Sequence, residues 1–230
     1  MKFSNLIKSK VSKVVCTAVL PALTMGALTA PAQAELSSDL TIASTYLWRG
    51  QAISGFHPAM SSTVQYDHSS GLYVGTWFSN EGAMGSYEVD AYAGYGLTIG
   101  DISLGLGAAG YYYPQTAGSL VDSDIYEGIV SAGFKDFGVT AYINLETPDE
   151  YTYISADYSI GKVGLHAGYT LAADGDDADT KNENYADVSV SYAFTDTLSW
   201  SVSYAIGDGI KEDGGNDDPI VMVSYSVPLK

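Results

Sequence analysis

From Leu40 to Tyr225 the chain alternates apolar and polar residues with a period of two. Leu40, Ile42, Tyr46 and Trp48 fall on one side of the first run, with Thr41, Ala43 and Thr45 on the other. Tyr87, Val89, Ala91, Ala93, Tyr95, Leu97 and Ile99 oppose Glu88, Asp90, Tyr92, Gly94, Gly96 and Thr98. Phe137 to Leu145, Val163 to Leu171 and Leu198 to Ile206 repeat the pattern. Successive side chains of a strand point to opposite faces, so this period predicts strands with one apolar face. Twelve are expected, over 38–49, 58–67, 71–79, 86–99, 102–113, 124–134, 137–146, 151–160, 163–172, 184–194, 197–206 and 219–228.

The connections between them alternate in length. Asp67 to Ser70, Gly100-Asp101, Lys135-Asp136, Gly161-Lys162 and Thr195-Asp196 are tight turns. Gly50 to His57, Asn80 to Gly85, Pro114 to Ser123, Thr147 to Glu150, Ala173 to Glu183 and Gly207 to Asp218 are longer. A soluble sandwich has no reason to alternate in this way. A transmembrane barrel does, with short turns on the periplasmic side and longer loops outside. The expected fold is all-β, an antiparallel up-and-down transmembrane β-barrel of about 12 strands, closed because a bilayer leaves no water for an open edge. An even strand count puts both termini on the periplasmic side.

The first 34 residues read as a secretory signal peptide. Lys2, Lys8, Lys10 and Lys13 form a basic start, Val14 to Leu28 an apolar stretch, and Ala32-Gln33-Ala34 a cleavage site. Residues 35–230 are then the barrel. Cys16, the one cysteine, leaves with the peptide, and its position at the start of the apolar stretch argues against lipidation. Four of the 10 basic side chains leave too, so six face all 27 Asp and Glu. Phosphate binding needs a basic face, which excludes nucleic acid as a partner. After residue 34 no apolar run is long enough for a membrane helix.

The polar faces are mostly Gly, Ser, Thr and Tyr, and charge gathers in the loops. Aromatics fall near strand ends: Tyr46, Trp48, Tyr73, Trp77, Tyr111 to Tyr113, Tyr151, Tyr158, Tyr192, Phe194, Trp200 and Tyr225. That distribution suggests two interfacial girdles. Within it, Tyr46-x-Trp48-Arg49-Gly50 is followed by His68-x-Ser70-Gly71-x-Tyr73-x-Gly75-x-Trp77-x-Ser79-Asn80 and by Glu88-x-Asp90-x-Tyr92-x-Gly94-Tyr95. In these motifs the chain resembles the TorF-type porins, small outer-membrane proteins of proteobacteria. The resemblance is strongest over 45–95, with Tyr113-Pro114 and Tyr126-Glu127 similar to later family positions. It implies a barrel and a pore, and no catalytic residues. One departure is the end of the chain, Val-Pro-Leu-Lys230, where such barrels usually carry an aromatic residue.

Arg49 is the one arginine. With Trp48 facing lipid, Arg49 would face the lumen mouth, near the carboxylates of Glu88, Asp90, Glu127, Asp157 or Asp187. It then either forms a charged constriction that tunes selectivity or an ion pair that pins the first loop, and a lone arginine favours the second. The surplus of lumen carboxylates predicts a cation preference. The acidic loops Asp174 to Asp179 and Glu212 to Asp218 hold clustered carboxylates of the kind calcium prefers, yet neither fits an EF-hand, and solvated loops account for them more simply. They would lie beside lipopolysaccharide. His57, His68 and His166 are spread over a loop, a turn and a strand. Some outer-membrane barrels are hydrolases, but no G-x-S-x-G or H-E-x-x-H occurs here. Gly105-Leu-Gly107 lies inside a strand and is no phosphate loop.

The sequence therefore reads as a non-enzymatic passive diffusion channel in the bacterial outer membrane. It would pass small hydrophilic solutes or ions, without a cofactor, among lipid and lipopolysaccharide, with self-association left open. The alternatives are a closed structural or adhesive barrel, in which tyrosines fill the lumen, and an outer-membrane hydrolase.

Overall fold

The structure is a computed structural model, which describes residues 34–80, 87–114, 125–146, 151–172, 184–207 and 218–229. The signal-peptide reading of 1–34 and the calcium reading of 174–179 and 212–218 fall on positions outside this set, Ala34 and Asp218 apart.

Fourteen strands are present among the described residues: β1 (Glu35–Ala43), β2 (Leu47–Trp48), β3 (Gln51–Ala52), β4 (Ala59–Asp67), β5 (Leu72–Asn80), β6 (Tyr87–Ile99), β7 (Ile102–Tyr112), β8 (Ile125–Phe134), β9 (Phe137–Asn144), β10 (Tyr151–Ile160), β11 (Val163–Ala172), β12 (Tyr185–Ala193), β13 (Leu198–Gly207) and β14 (Ile220–Leu229). Twelve of them, β1 and β4 to β14, form one closed antiparallel barrel in chain order. Closure is made by β14 on β1, with Leu40 opposite Val227 and Ile42 opposite Tyr225. The expected up-and-down barrel is the fold. Eleven of its strands match the expected spans to within two residues at either end.

The first strand is the exception. It was expected to run to residue 49 and ends at Ala43. Residues 44–58 leave the wall and turn into the lumen at the end of the barrel that carries the long connections. There β2 and β3 pair as a small inner hairpin, Leu47 opposite Ala52 and Trp48 opposite Gln51. The two residues between them, Arg49 and Gly50, have φ of 45° and 81°. Two successive positive φ values are what a two-residue hairpin turn demands. Ser54, fully buried, staples the segment. Its hydroxyl donates to the His57 carbonyl at 2.6 Å and accepts from the Tyr46 N–H at 2.9 Å. Because that single proton is used, the Thr45 hydroxyl donates in the 2.9 Å contact with Ser54. Of the expected outside loop 50–57, residues 50–52 and Ser54 are thus folded inward, whereas Ile53, Gly55, Phe56 and His57 are exposed.

Strand parity then sorts the wall. Large apolar side chains such as Leu72, Leu104, Leu106, Val130, Ile160, Val188 and Val221 are exposed on the outer face. Tyr73, Tyr92, Tyr111, Tyr142, Tyr153 and Trp77 are buried in the lumen. The expected aromatic girdle is corrected accordingly. Tyr66, Tyr95, Phe134, Phe137, Tyr158, Phe194 and Tyr225 lie outside, near the tight-turn end. Tyr46, Trp48, Tyr73, Trp77, Tyr111 and Tyr151 turn inward.

The lumen has two sides. On β12 to β14 it is lined by Ser189, Ser191, Ser199, Ser201, Ser203 and Ser224. On β5 to β10 it carries the tyrosines, of which Tyr73, Tyr92 and Tyr153 are each accommodated by glycine on a neighbouring strand. Tyr73 is directly opposite Gly94, and Gly75 opposite Tyr92. A Cβ on Gly94 would strike the Tyr73 phenol and, at 2.6 Å, the Leu106 carbonyl oxygen, whereas one on Gly138 would meet nothing. We expect Gly94→Ala to destabilise the folded barrel by about 1–3 kcal/mol, the range for overpacking. Gly138→Ala should be near neutral. Urea titration of the refolded protein checks both.

Candidate functional site

Around the lumen, Tyr46 and the inner hairpin (β2–β3) touch the wall on every side. Leu47 packs on Ile220 and Met222 of β14. The Tyr46 ring meets Trp77 of β5 edge-on at 5.7 Å, and its hydroxyl donates to Glu88 of β6. A Cβ on Gly50 would sit 2.6 Å from the Asp187 Cβ and 2.8 Å from that of Ala205, so the tip closes directly on β12 and β13.

Arg49 stands at that tip. Its guanidinium donates to Glu127 Oε1 of β8 at 2.5 Å. The arginine is 6% exposed and the glutamate not at all. The other hydrogen bonds to this carboxylate are phenolic: Tyr111 donates to Oε2 at 2.7 Å and Tyr151 to Oε1 at 2.8 Å. The guanidinium carbon lies 4.3 Å from the ring centre of Trp48, 4.4 Å from that of Tyr153, 5.3 Å from Tyr142 and 5.4 Å from Tyr151. Within about 6 Å an arginine over an aromatic ring is attracted by the ring's quadrupole. A guanidinium is not deprotonated in proteins, so the buried pair is ionic. Trp48 therefore covers Arg49 inside the lumen, where it was expected to face lipid.

The remaining sequence candidates also face the lumen, in three groups. Glu127 holds Arg49. Glu88 accepts from Tyr46 and, at 3.1 Å, from Tyr113; Asp90, two residues along the same face, has a buried Oδ1 with no hydrogen-bond partner among the described residues. Asp157 and Asp187 flank His166. Its Nδ1 is 2.8 Å from Asp157 Oδ1 and its Nε2 3.1 Å from Asp187 Oδ2. Tyr153 bridges, 2.9 Å from His166 Nε2 and 3.0 Å from Asp187 Oδ1.

Of the motif residues, Tyr73, Gly75 and Trp77 share the inner face of β5. Asn80 caps its far end, accepting the Met60 N–H. His68 and Gly71 make the opposite turn: Gly71, at φ 96°, donates to the His68 carbonyl. His68 Nδ1 lies 2.8 Å from the Ser70 hydroxyl on the exposed surface. The three histidines are not brought together, and among the described residues no serine or threonine hydroxyl is bonded to His166. The sequence reading missed Tyr142, Tyr151 and Tyr153 as partners of Arg49. The signal was available in their parity, since each shares a face with a polar neighbour.

Removing one member of a buried ion pair strands the other, at a cost of about 3–5 kcal/mol. Arg49→Ala and Glu127→Ala should each lower stability by that order. The double variant should lose less than their sum, with a coupling of about 1–3 kcal/mol. Denaturant titrations of the four proteins measure it; strict additivity would contradict the pairing.

A family profile described as "Bacterial protein of unknown function (Gcw_chp)" matches residues 27–218. No curated protein matches the chain in sequence. Among solved structures, one described as "Unveiling the Mechanism Behind the in-meso Crystallization of Membrane Proteins" aligns with a TM-score of 0.53 and 10% identity, over 85% of this chain and 83% of that one. A "KdgM porin" aligns with a TM-score of 0.48 and 12% identity, over 84% of this chain and 98% of the other. An outer membrane phospholipase A from Escherichia coli aligns with a TM-score of 0.44 and 12% identity, over 86% of this chain and 98% of the other. At 10% identity the likeness to the first of these speaks to the fold alone.

Proposed function

We propose that this chain, which belongs to the Gcw_chp family of bacterial proteins, is an outer-membrane channel for small hydrophilic solutes, narrowed by its own inner hairpin. The observation that carries the proposal is the inversion of the wall. A closed barrel with a continuous apolar exterior and an interior bearing Glu88, Asp90, Glu127, Asp157 and Asp187 fits lipid outside and water inside. A soluble monomer rarely exposes so large an apolar surface. Export would use residues 1–34 as a cleaved signal peptide, leaving 35–230 in the outer membrane, beside lipid and lipopolysaccharide. The motifs over 45–95 support placing the chain with the TorF-type porins.

The lumen charge supports a cation preference. Carboxylates outnumber the single arginine there, and charged rings set the sign of the ion that passes. The inner hairpin and the buried tyrosines support a second reading, a closed barrel with a structural or adhesive role. In that reading the segment 44–58 is a permanent core. An outer-membrane hydrolase has less support, because both ring nitrogens of His166 are taken up by Asp157, Asp187 and Tyr153.

Planar-bilayer recordings under a salt gradient separate the readings. We expect small discrete conductance steps from the refolded protein with a cation-leaning reversal potential. A variant lacking residues 46–53 should give larger steps. An anion-leaning potential would sink the selectivity claim. Silence from both proteins, each shown folded by a heat-dependent gel shift, would favour the closed barrel.

A further inference from the structure

We infer that the wall pocket holding Arg49 is a binding site for small guanidinium solutes, and that Arg49 is its tethered occupant. The proposal rests on the channel reading only for how a solute reaches the pocket. The pocket is divided between two parts of the chain. Glu127, Tyr111, Tyr142, Tyr151 and Tyr153 belong to the rigid wall of β7 to β10. Only Arg49 and Trp48 arrive on the inner hairpin.

The wall contribution is built for a planar cation. Tyr111 and Tyr151 donate to both oxygens of Glu127 and so fix the plane of the carboxylate. Neither donor neutralises it. With Arg49 withdrawn, the site would present a hydrogen-bonded lumen carboxylate with no counter-ion among the described residues, bordered by three phenol rings. Burial of an unpaired charge is strongly unfavourable, and among small solutes a cation relieves it. The rings select further: a flat, weakly hydrated guanidinium both stacks on tyrosine and forks onto a carboxylate, which a compact ammonium does less well.

The occupant is also held at some strain. Arg49 adopts a left-handed backbone, φ 45°, which suits glycine or asparagine and disfavours a long side chain. Its advantage over a free solute is tethering, which supplies a high effective concentration. A free guanidinium compound carries neither the strain nor the tether. It competes for the site when its concentration is high, and in winning it releases the tip of the inner hairpin from the far wall.

The test uses methylguanidinium chloride with sodium chloride at equal concentration as control, on the full refolded barrel in detergent, without any need for conduction. In Arg49→Ala, calorimetric titration should give a saturable isotherm in the millimolar range that sodium does not. The Arg49→Ala, Glu127→Gln double variant should bind at least tenfold more weakly, and so should Arg49→Ala, Tyr153→Leu. Where Arg49→Ala does not fold unaided, its folded yield becomes the readout: methylguanidinium should restore it and sodium should not. No saturable heat from folded Arg49→Ala, no rescue of an unfolded one, or binding indifferent to Glu127→Gln would each overturn the proposal. Binding without conductance would leave the site standing and remove the channel. Conductance without binding would do the reverse.

Discussion

A β-wall in lipid has nowhere to leave an unpaired backbone group. That constraint governs this molecule through the pairing of β14 on β1. Once the wall is closed, the outer face can be almost wholly apolar, and everything polar that the alternating sequence carries is turned into one confined lumen. The lumen is then crowded with groups that need partners. Charged side chains of both signs share it, among them Arg49, Glu88, Asp90, Glu127, Asp157, His166 and Asp187. Tyrosine hydroxyls reach both oxygens of Glu88 and of Glu127 and one of Asp187, and glycines beside Tyr73, Tyr92 and Tyr153 make the room.

The inner hairpin answers the same problem from the other direction. A lumen of carboxylates needs a cation, and β1 delivers one by leaving the wall after Ala43. That cation, Arg49, pairs with Glu127, while Glu88 accepts from Tyr46 and Tyr113 and Asp157 and Asp187 flank His166. The segment is at once the plug of the barrel and a participant in its charge balance. This is why a channel reading and a closed-barrel reading both find support in one feature.

The strands were legible because period two is strict. In β6, Glu88, Asp90, Tyr92 and Gly94 alternate with Val89, Ala91 and Ala93, and no other regular element fits. The inner hairpin was not. Tyr46 and Trp48 continue the side of Leu40 and Ile42 with Thr45 opposite, so periodicity extended β1 through them although Leu47 breaks the alternation. The turn signal was Arg49-Gly50, weak because arginine seldom takes a positive φ, and Ser54 gives no local hint that it will staple the segment. Part of the expected aromatic girdle, Tyr46, Trp48, Tyr73, Trp77, Tyr111 and Tyr151, failed for a related reason, while Tyr158, Phe194 and Tyr225 lie outside as expected. Tyrosine suits both a lipid interface and a polar lumen, so composition cannot orient it. Parity can: Tyr73 and Trp77 share a side with Gly75 and Ser79, opposite Val74 and Phe78. The carboxylates of the lumen were readable from the same parity, but which of them would meet Arg49 depended on where residues 44–58 go.

The seam between β1 and β14 carries a further consequence. A strand that slips by one residue turns its apolar side chains inward, and the alternation itself forbids that. A slip by two residues preserves every facing and is invisible to the hydrophobic pattern. It would, however, carry β1 and all that hangs from it along the wall by about 7 Å. Leu47 would leave Ile220 and Met222, and Arg49 would miss Glu127 on the opposite side. The hairpin thus acts as a vernier for the closure of the barrel, accepting one register among those that lipid alone would tolerate.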